Sequence, residues 1–352
     1  MKKWDVVVIG AGPAGSFAAK VAAENGCQVL LLEEHHAVGQ PRHGTGWLLG
    51  TDFTEELIKP LKGKIPVQKV YAFHIYDADS GTAVVKAEDT GWGGYLVKRQ
   101  LFDREIALMA LEAGAKISLA TKVVDLIREG DQIVGVKTNS KRLPEIRAGV
   151  VICADGIRSL HSGFAQRELL KGKEEGYAAG ILMELVGVKE VKPGIIEGYQ
   201  SADKTISGRN LWTHSSNSCL ITFPHINIFW DLKQREDNLL SKKIRDAQPL
   251  QINGYYMREE MGRFCERVVD KGLIFVGDAS GNSGIIHGMI SAYYGAMVTA
   301  EAAKEKDMGS LMEYERMLKA SDIYRYPYRW RTIRGEIGSF AETMERMKEI
   351  QL

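Results

Sequence analysis

The chain has 352 residues, more than twice the usual length of one domain, so we expect two interlocked domains that can bury a large ligand. Its 46 basic residues against 45 acidic ones leave a formal charge of +1, which argues against a protein that binds by neutralising a nucleic-acid backbone. With 45% hydrophobic and 26% charged residues, the composition excludes a disordered or fibrous chain.

The four cysteines are far apart, and the sequence has neither a CxxC pair nor histidines at metal-ligand spacing. We therefore predict buried, reduced thiols and no metal site. The apolar run over 6–9 is too short for a signal peptide. No later run reaches the roughly 18 apolar residues that a membrane-spanning helix needs. These features predict a soluble, cytoplasmic protein.

The predicted elements begin with a buried strand over 5–9, a glycine-rich turn, an alanine-rich helix and a second strand over 28–32. This order indicates a βαβ unit with a right-handed crossover. The further predicted elements are a hairpin within 67–85, a helix over 99–113, short strands over 116–119, 123–127, 133–138 and 149–153, a β-rich region over 176–230 with Trp230 near its end, a strand over 273–276, a helix over 289–303, and helices from 311 onward.

The turn after the first strand reads Gly10-Ala11-Gly12-Pro13-Ala14-Gly15. In this context Gly10 makes the tight turn, Gly12 lets the backbone approach a pyrophosphate, and Gly15 permits close helix packing. The free N–H groups at the helix start favour phosphate. Glu33 follows the second strand, where a carboxylate accepts hydrogen bonds from ribose hydroxyls and repels a 2′-phosphate. The motif predicts a site for FAD or NAD.

Two further glycine motifs follow predicted strands, at the sheet edge where α/β proteins bind ligands. They are Ala154-Asp155-Gly156-Ile157-Arg158-Ser159 and Gly277-Asp278-Ala279-Ser280-Gly281. With the first motif, their order and spacing resemble the flavoprotein monooxygenase-like FAD enzymes and, within them, the geranylgeranyl reductase family. The resemblance spans about 5–303 and is weakest in the middle. It implies non-covalently bound FAD rather than NAD.

The resemblance also implies an α/β fold in which a Rossmann-like FAD-binding domain is interleaved with an α+β substrate domain built on an antiparallel sheet. The expected bounds are 1–65, 92–175 and 262–310 for the FAD-binding domain, 66–91 and 176–261 for the substrate domain, and 311–352 for a C-terminal helical segment. The residues that the resemblance places at the cofactor are Gly10, Gly12, Pro13, Ala14, Gly15, Glu33, Glu34, Arg42, His43, Gly44, Arg99, Val123, Ala154, Asp155, Gly156, Gly277, Asp278, Gly288 and Met289.

Within that set, the resemblance assigns particular roles. Arg99 matches an arginine that reaches towards the phosphate or ribityl part of the flavin, and Asp278 matches the aspartate that binds the ribityl chain. Gly284 and Gly288 are expected to let the following helix point its N-terminus at the flavin ring, where a positive helix end stabilises the reduced form. The alternative is that Arg99 is an exposed cation at the start of a helix and Asp278 is a helix cap. Neither role needs a ligand.

The sequence departs from the family where geranylgeranyl reductases commonly have Arg-Cys-Gly, because here Arg42 is followed by His43 and Gly44. A thiol role at that place does not carry over. Imidazole titrates near neutrality, so His43 and His287 are the candidate catalytic proton donors. The alternative for both is a loop histidine bonded to the backbone. The aromatic residues Trp47, Trp92, Tyr95, Trp212, Tyr293 and Tyr294 either wall an apolar tunnel or belong to the core.

The leading hypothesis is an FAD-dependent oxidoreductase that resembles geranylgeranyl reductases and reduces C=C bonds of an isoprenoid or other apolar lipid substrate by hydride from reduced flavin. The alternatives are a flavin-dependent monooxygenase and a non-enzymatic flavin-containing binding protein. The electron donor is either NAD(P)H or a protein such as ferredoxin. The stretch 324–334 mixes aromatic residues with arginine, which fits either peripheral membrane contact or packing against the FAD domain.

Overall fold

The computed structural model describes residues 3–77, 81–89, 93–161, 177–216, 218–258, 265, 267–281 and 284–321. Its contacts divide the chain into two compact units. The first takes its described residues from 1–40, 100–177 and 257–321, and the second takes its own from 41–99 and 178–256. Compared with the expected bounds, 41–65 and 92–99 group with the second unit, while 177, 257–258 and 311–321 group with the first.

The described strands are β1 Lys3–Ile9, β2 Val29–Leu32, β3 Trp47–Leu49, β4 Val67–Lys69, β5 Ala72–Asp77, β6 Gly81–Lys86, β7 Gly94–Val97, β8 Lys116–Ser118, β9 Val123–Glu129, β10 Gln132–Thr138, β11 Glu145–Cys153, β12 Tyr177–Val186, β13 Ile195–Gln200, β14 Arg209–Ser215, β15 Ser218–Phe223, β16 Gln248–Arg258, β17 Val269–Asp270 and β18 Leu273–Phe275. The described α-helices are α1 Pro13–Glu24, α2 Asp52–Ile58, α3 Arg99–Glu112, α4 Ile157–His161, α5 Ile226–Lys233, α6 Leu239–Ile244, α7 Ile285–Glu305 and α8 Glu313–Ala320.

The first unit is built on a sheet with the strand order β17-β18-β11-β1-β2-β8, to which β10 and β9 add an antiparallel extension at β11. From β18 to β8 the neighbouring strands run parallel. Val6, Val7 and Val8 of β1 are fully buried, as expected of a strand covered on both faces. The parallel pairing of β1 with β2, joined through α1, confirms the predicted βαβ unit and the α/β fold class.

Helix α7 packs in the first unit through a stripe of small residues that recurs at helical spacing: Gly288, Ser291, Ala292 and Gly295, all buried. A Cβ atom on Gly295 would lie 2.8 Å from Cγ1 of Val276, so this face of the helix has no room for a larger side chain. The helix begins at Ile285 and not at residue 289 as predicted. The difference has a local cause, because glycine favours a loop in the sequence whereas Gly288 is buried inside the first turn of the helix.

The second unit contains a seven-stranded sheet with the order β16-β12-β15-β14-β13-β5-β6. As expected, β15 pairs antiparallel with β12 and with β14, β14 also pairs antiparallel with β13, and β5 pairs antiparallel with β6. In contrast, β13 pairs with β5 in parallel. One face carries Met183 and Ile221, which lie in a buried apolar cluster with residues of α5 and α6. Side chains alternate along a strand, so Glu184 and Ser218 belong to the opposite face. Trp230, expected in the β-rich region, lies in α5.

None of the described helices combines the length and apolarity that a membrane crossing requires. Of the predicted C-terminal helical segment over 311–352, the described part ends at residue 321 and includes α8. The aromatic and arginine-rich stretch over 324–334 and Trp92 lie outside the described residues.

A buried ion pair lies within the apolar core of the second unit. Nζ of Lys243 donates to the two carboxylate oxygens of Glu197 at 2.9 and 2.8 Å, and the Tyr199 hydroxyl donates to Oε2 of Glu197 at 2.5 Å. The side chains of Lys243 and Glu197 are only 5% and 3% exposed. Two desolvated charges of this kind stabilise the fold only while they stay paired.

Removing the charge of Lys243 alone should therefore destabilise the protein strongly. We expect Lys243→Met to lower the free energy of unfolding by about 3–5 kcal/mol, because it leaves the Glu197 carboxylate buried without its cation. The double variant Lys243→Met, Glu197→Gln should recover much of that loss. Lys242→Met, on an exposed neighbour in the same helix, is the matched control. Urea unfolding followed by tryptophan fluorescence measures all three, and equal stability of the two single variants would contradict the argument.

Candidate cofactor and active site

The glycine turn between β1 and α1 brings the backbone of three chain segments into contact. Gly10 has φ +94°, and a Cβ on it would lie 2.5 Å from the Ala154 carbonyl oxygen. A Cβ on Gly15 would lie 1.9 Å from the carbonyl oxygen of Gly10. Neither position accepts another residue. Gly12 differs, because a Cβ there would meet no atom of the chain within 4 Å.

The start of α1 beside Gly12 suits an anion. Gly12 is the N-cap residue and provides no side-chain cap, and the first turn carries no acidic residue. The free N–H groups and the positive end of the helix dipole therefore face the open side of the loop. Pro13, at the first helical position, has no N–H of its own and does not weaken this site.

Glu33 follows β2 and is buried beside the glycine turn. Its Oε2 accepts the Ala11 N–H at 2.9 Å, and its Oε1 accepts the His35 N–H at 2.9 Å. The backbone of Glu33 is held by the turn after β8, because its N–H donates to the Ser118 carbonyl oxygen and its own carbonyl oxygen accepts the Thr121 N–H. The carboxylate is thus fixed at the edge of the glycine turn. Its neighbour Glu34 pairs instead with Arg158 at 2.8 Å and with Lys122 at 3.3 Å.

The second glycine motif lies at the end of β11, next to the first. The Cys153 thiol donates to Oδ1 of Asp155 at 2.9 Å. Burial raises the pKa of Asp155, and burial together with this carboxylate raises the pKa of Cys153 well above its usual range. Cys153 is therefore a protonated hydrogen-bond donor and not a nucleophile. Ala154 N–H donates to the Ile9 carbonyl oxygen at 2.9 Å, which fixes this turn against β1.

The third glycine motif forms a 3₁₀ turn over Gly277–Ser280. The Gly277 N–H donates to Oγ of Ser291 at 2.9 Å, and that hydroxyl donates to the Gly288 carbonyl oxygen at 2.8 Å. A Cβ on Gly277 would lie 2.8 Å from Cβ of Ala14. The turn, the start of α7 and the start of α1 therefore meet within the first unit. Asp278 is half-buried in this turn.

These residues fit a dinucleotide cofactor on three grounds. The cradle beside Gly12 is open where a pyrophosphate needs close backbone approach, the uncapped start of α1 favours negative charge, and Glu33 presents a carboxylate where a ribose needs an acceptor. Ten of the predicted cofactor residues contribute to these three motifs: Gly10, Gly12, Pro13, Ala14, Gly15, Ala154, Asp155, Gly156, Gly277 and Asp278.

The remaining predicted residues of the first unit take different places. Gly288 and His287 lie in the first turn of α7, and His287 is half-buried. Met289 is fully buried, and Val123, at the start of β9, is 8% exposed. The side chains of Met289 and Val123 thus belong to the apolar interior.

Arg42, His43, Gly44 and Arg99 lie in the second unit, on and beside a loop over 41–46. Gly44 and Gly46 have φ +75° and +80°. A Cβ on Gly46 would lie 2.0 Å from the Val97 carbonyl oxygen, and the Val97 N–H donates to the Gly46 carbonyl oxygen at 2.9 Å. The buried Arg99 guanidinium donates to the carbonyl oxygen of His43. The backbone of this loop is fixed, while the His43 side chain is exposed.

A buried carboxylate holds the start of the same loop. Glu184 accepts from Arg42 at 2.9 Å, from Lys98 at 3.2 Å and from the Ser218 hydroxyl at 2.7 Å. Burial by itself would raise the pKa of Glu184, but the Ser218 hydrogen bond and the two cations outweigh it and lower that pKa. Glu184 is therefore an anion at neutral pH.

His214 holds the other end of the loop. Its Nε2 lies 3.0 Å from the Thr45 carbonyl oxygen, which only accepts, so this nitrogen carries the proton. Burial and the nearby Arg42 cation lower the pKa of His214 to about 4. The imidazole is neutral near pH 7 and serves as a fixed donor to the loop.

Several aromatic residues proposed as tunnel walls belong to the core of the second unit. Trp47 and Trp212 pack against a buried cluster that includes Phe73, and the Trp47 ring N–H donates to the Gly93 carbonyl oxygen. The Tyr95 hydroxyl donates to Glu55 at 2.8 Å, and burial together with that carboxylate raises the pKa of Tyr95 to about 12. In the first unit, Tyr293 is 40% exposed on α7.

All four cysteines are buried and free of disulfides.

Sequence reasoning missed four residues that shape these sites. Ser291 was detectable from the small-residue stripe of α7, and Glu184 from its place as the lone acid in the apolar run of β12. His35 was detectable from its position two residues after Glu33, whereas His214 gave no signal, because its partner Thr45 is brought near only by the fold. Among the described residues, no group of three or more His, Cys, Asp or Glu side chains is arranged to hold a metal ion.

Comparison with known proteins agrees with this geometry. Residues 5–161 match the family of FAD-dependent oxidoreductases. The digeranylgeranylglycerophospholipid reductase 1 of Methanosphaera stadtmanae is 27% identical over 339 residues, which cover 92% of this chain and 81% of that protein.

Two solved structures share the fold. A geranylgeranyl bacteriochlorophyll reductase-like protein of Thermoplasma acidophilum superposes with a TM-score of 0.81 at 21% identity, covering 99% of this chain and 90% of that one. A probable FAD-dependent monooxygenase of Pseudomonas aeruginosa reaches a TM-score of 0.72 at 13% identity, covering 99% and 100%. Residues 5–161 thus match FAD-dependent oxidoreductases, and the chain is similar over most of its length to a digeranylgeranylglycerophospholipid reductase.

Proposed function

We propose that this enzyme reduces carbon–carbon double bonds in the isoprenoid chains of a lipid. The observation that carries the proposal is the similarity, over 92% of the chain, to a protein named as a digeranylgeranylglycerophospholipid reductase. Monooxygenases share the fold at much lower identity, and a shared fold alone does not assign a reaction. An apolar lipid substrate also favours peripheral membrane contact, for which the stretch over 324–334 has a suitable composition.

The cofactor in this proposal is non-covalent FAD. The loop from Gly10 to Gly15 and the start of α1 bind its pyrophosphate, Glu33 accepts the adenosine ribose hydroxyls, and Asp278 binds the ribityl chain. Bound and reduced, FAD supplies the hydride ion that one carbon of the double bond accepts. The other carbon needs a proton, and that proton comes from the protein.

We assign the proton to His43. Its backbone is fixed by Arg99, and the loop that carries it is fixed at both ends by Glu184 and His214. A rigid backbone and an exposed imidazole suit a group that must meet a substrate in one orientation. His287 is the second candidate, but it lies in the first turn of α7, where the helix dipole favours negative charge and so works against an imidazolium.

The reaction can be tested without knowing the electron donor, whether that is NAD(P)H or a ferredoxin. The holoenzyme is reduced with dithionite under strict exclusion of oxygen and mixed with a geranylgeranyl glycerolipid. We expect mass spectrometry to find lipid that has gained two hydrogen atoms for each double bond reduced.

Two outcomes would contradict the proposal. Product that forms only after oxygen is admitted and that carries an added oxygen atom would identify a monooxygenase. A yellow protein that binds the lipid and leaves it unchanged, with or without oxygen, would identify a flavin-containing binding protein.

The glycine turn makes a prediction that separates cofactor binding from folding. Gly12→Ala should fold normally, because the new methyl group meets no atom of the chain, and should lose most of its FAD, because that methyl group occupies the approach to the pyrophosphate. Gly15→Ala should destabilise the protein itself, since its Cβ would lie 1.9 Å from the Gly10 carbonyl oxygen. Flavin absorbance of the purified protein and its thermal unfolding midpoint measure the two effects. A Gly12→Ala protein with full flavin content would contradict the assignment of the pyrophosphate site.

The proton donor is tested by variants of the two histidines. We expect His43→Gln to slow reduction of the lipid by about 10²–10⁴-fold, the usual contribution of a general acid, while FAD content stays unchanged. His225→Gln, at an exposed histidine before α5, is the matched control and should keep its rate. If His43→Gln keeps its rate while His287→Gln loses it, the donor is His287 and the assignment to His43 is wrong.

A further inference from the structure

The ring of His35 lies against the carboxylate of Glu33. Nδ1 of His35 is 2.6 Å from Oε1 of Glu33, and the backbone N–H of His35 donates to the same oxygen at 2.9 Å. The carbonyl oxygen of His35 accepts the Ala120 N–H at 2.9 Å, so the backbone at this position is fixed. The imidazole is about one-third exposed, with 34% of its side chain accessible.

The contact with His35 uses a hydrogen-bond acceptor site of the Glu33 carboxylate. A carboxylate oxygen has two lone pairs that accept hydrogen bonds. On Oε1 of Glu33 the His35 N–H takes one and the His35 ring takes the other, while on Oε2 the Ala11 N–H takes one. One acceptor site remains for a ribose hydroxyl. Rotation of the His35 ring away from Oε1 would provide a second.

The ring of His35 lies between two carboxylates. Nε2 of His35 lies 3.8 Å from Oε1 of Glu34, so the two ring nitrogens face two different carboxylates. Arg158 and Lys122 pair with Glu34 and offset part of its charge.

We propose that His35 competes with the adenosine ribose for the Glu33 carboxylate and thereby lowers the affinity for FAD. The proposal rests on the assignment of Glu33 to the ribose. A second ribose hydroxyl reaches Oε1 only by displacing the His35 ring, whose Nδ1 lies 2.6 Å from that oxygen.

The test is a titration of FAD into the FAD-depleted protein, followed by the change in flavin fluorescence at one fixed pH. We expect His35→Ala to bind FAD about tenfold more tightly than the unmodified chain, the effect of one hydrogen bond to a charged group. His36→Ala, at the exposed neighbouring histidine, should behave like the unmodified chain.

Weaker or unchanged binding by His35→Ala would overturn the proposal, because that result means the ring supports FAD binding or has no effect on it. The thermal unfolding midpoint of the FAD-free variant checks that the chain still folds, and His35→Gln repeats the test with a neutral polar side chain. Glu33→Gln tests the underlying ribose assignment separately and should weaken binding. No lipid is present in any of these titrations, so failure of the proposed reductase reaction leaves the result unaffected.

Discussion

The first unit depends on one close contact that only glycine permits. Helix α1 starts so near the end of β1 that a methyl group on Gly15 would lie 1.9 Å from the Gly10 carbonyl oxygen. The same crowding sets Gly10 against Ala154 at the end of β11. Because these backbones touch, the start of α1 lies at the carboxyl edge of the parallel sheet with its N–H groups free. The contact therefore leaves that edge of the sheet suited to binding an anion.

The second unit fixes its loop by a different means. There the fixed segment is the loop over 41–46, and the contacts that hold it are polar: Glu184 on Arg42, Arg99 on the His43 carbonyl oxygen, and a neutral His214 on the Thr45 carbonyl oxygen. The Arg42–Glu184 pair is buried and the other two contacts are part-buried, so the ion pair is the costliest of the three to leave unpaired. The result is an exposed imidazole on a rigid backbone. The sequence resemblance predicted a cysteine at this place, and the chain presents the imidazole of His43 instead.

The sequence predicted the parts of the fold that follow from local rules. The βαβ unit was predictable because a buried strand, three spaced glycines and an acidic residue after the second strand leave few other arrangements. The start of α7 was misplaced, since a glycine within a helix reads as loop until its packing partner Gly277 is known. Residues 41–65 and 92–99 group with the second unit because strands β3, β4 and β7 join residues that are distant in sequence. His214 could not be assigned a role for the same reason, since its partner Thr45 is far away in the sequence.

FAD bound by these residues would, once reduced, supply a hydride directly to a double bond. A single-turnover experiment tests it most directly: the reduced holoenzyme is mixed with a geranylgeranyl lipid in the absence of oxygen, and flavin absorbance and lipid composition are followed together. We expect one double bond to disappear for each flavin that is reoxidised. Flavin that stays reduced until oxygen is admitted would contradict it.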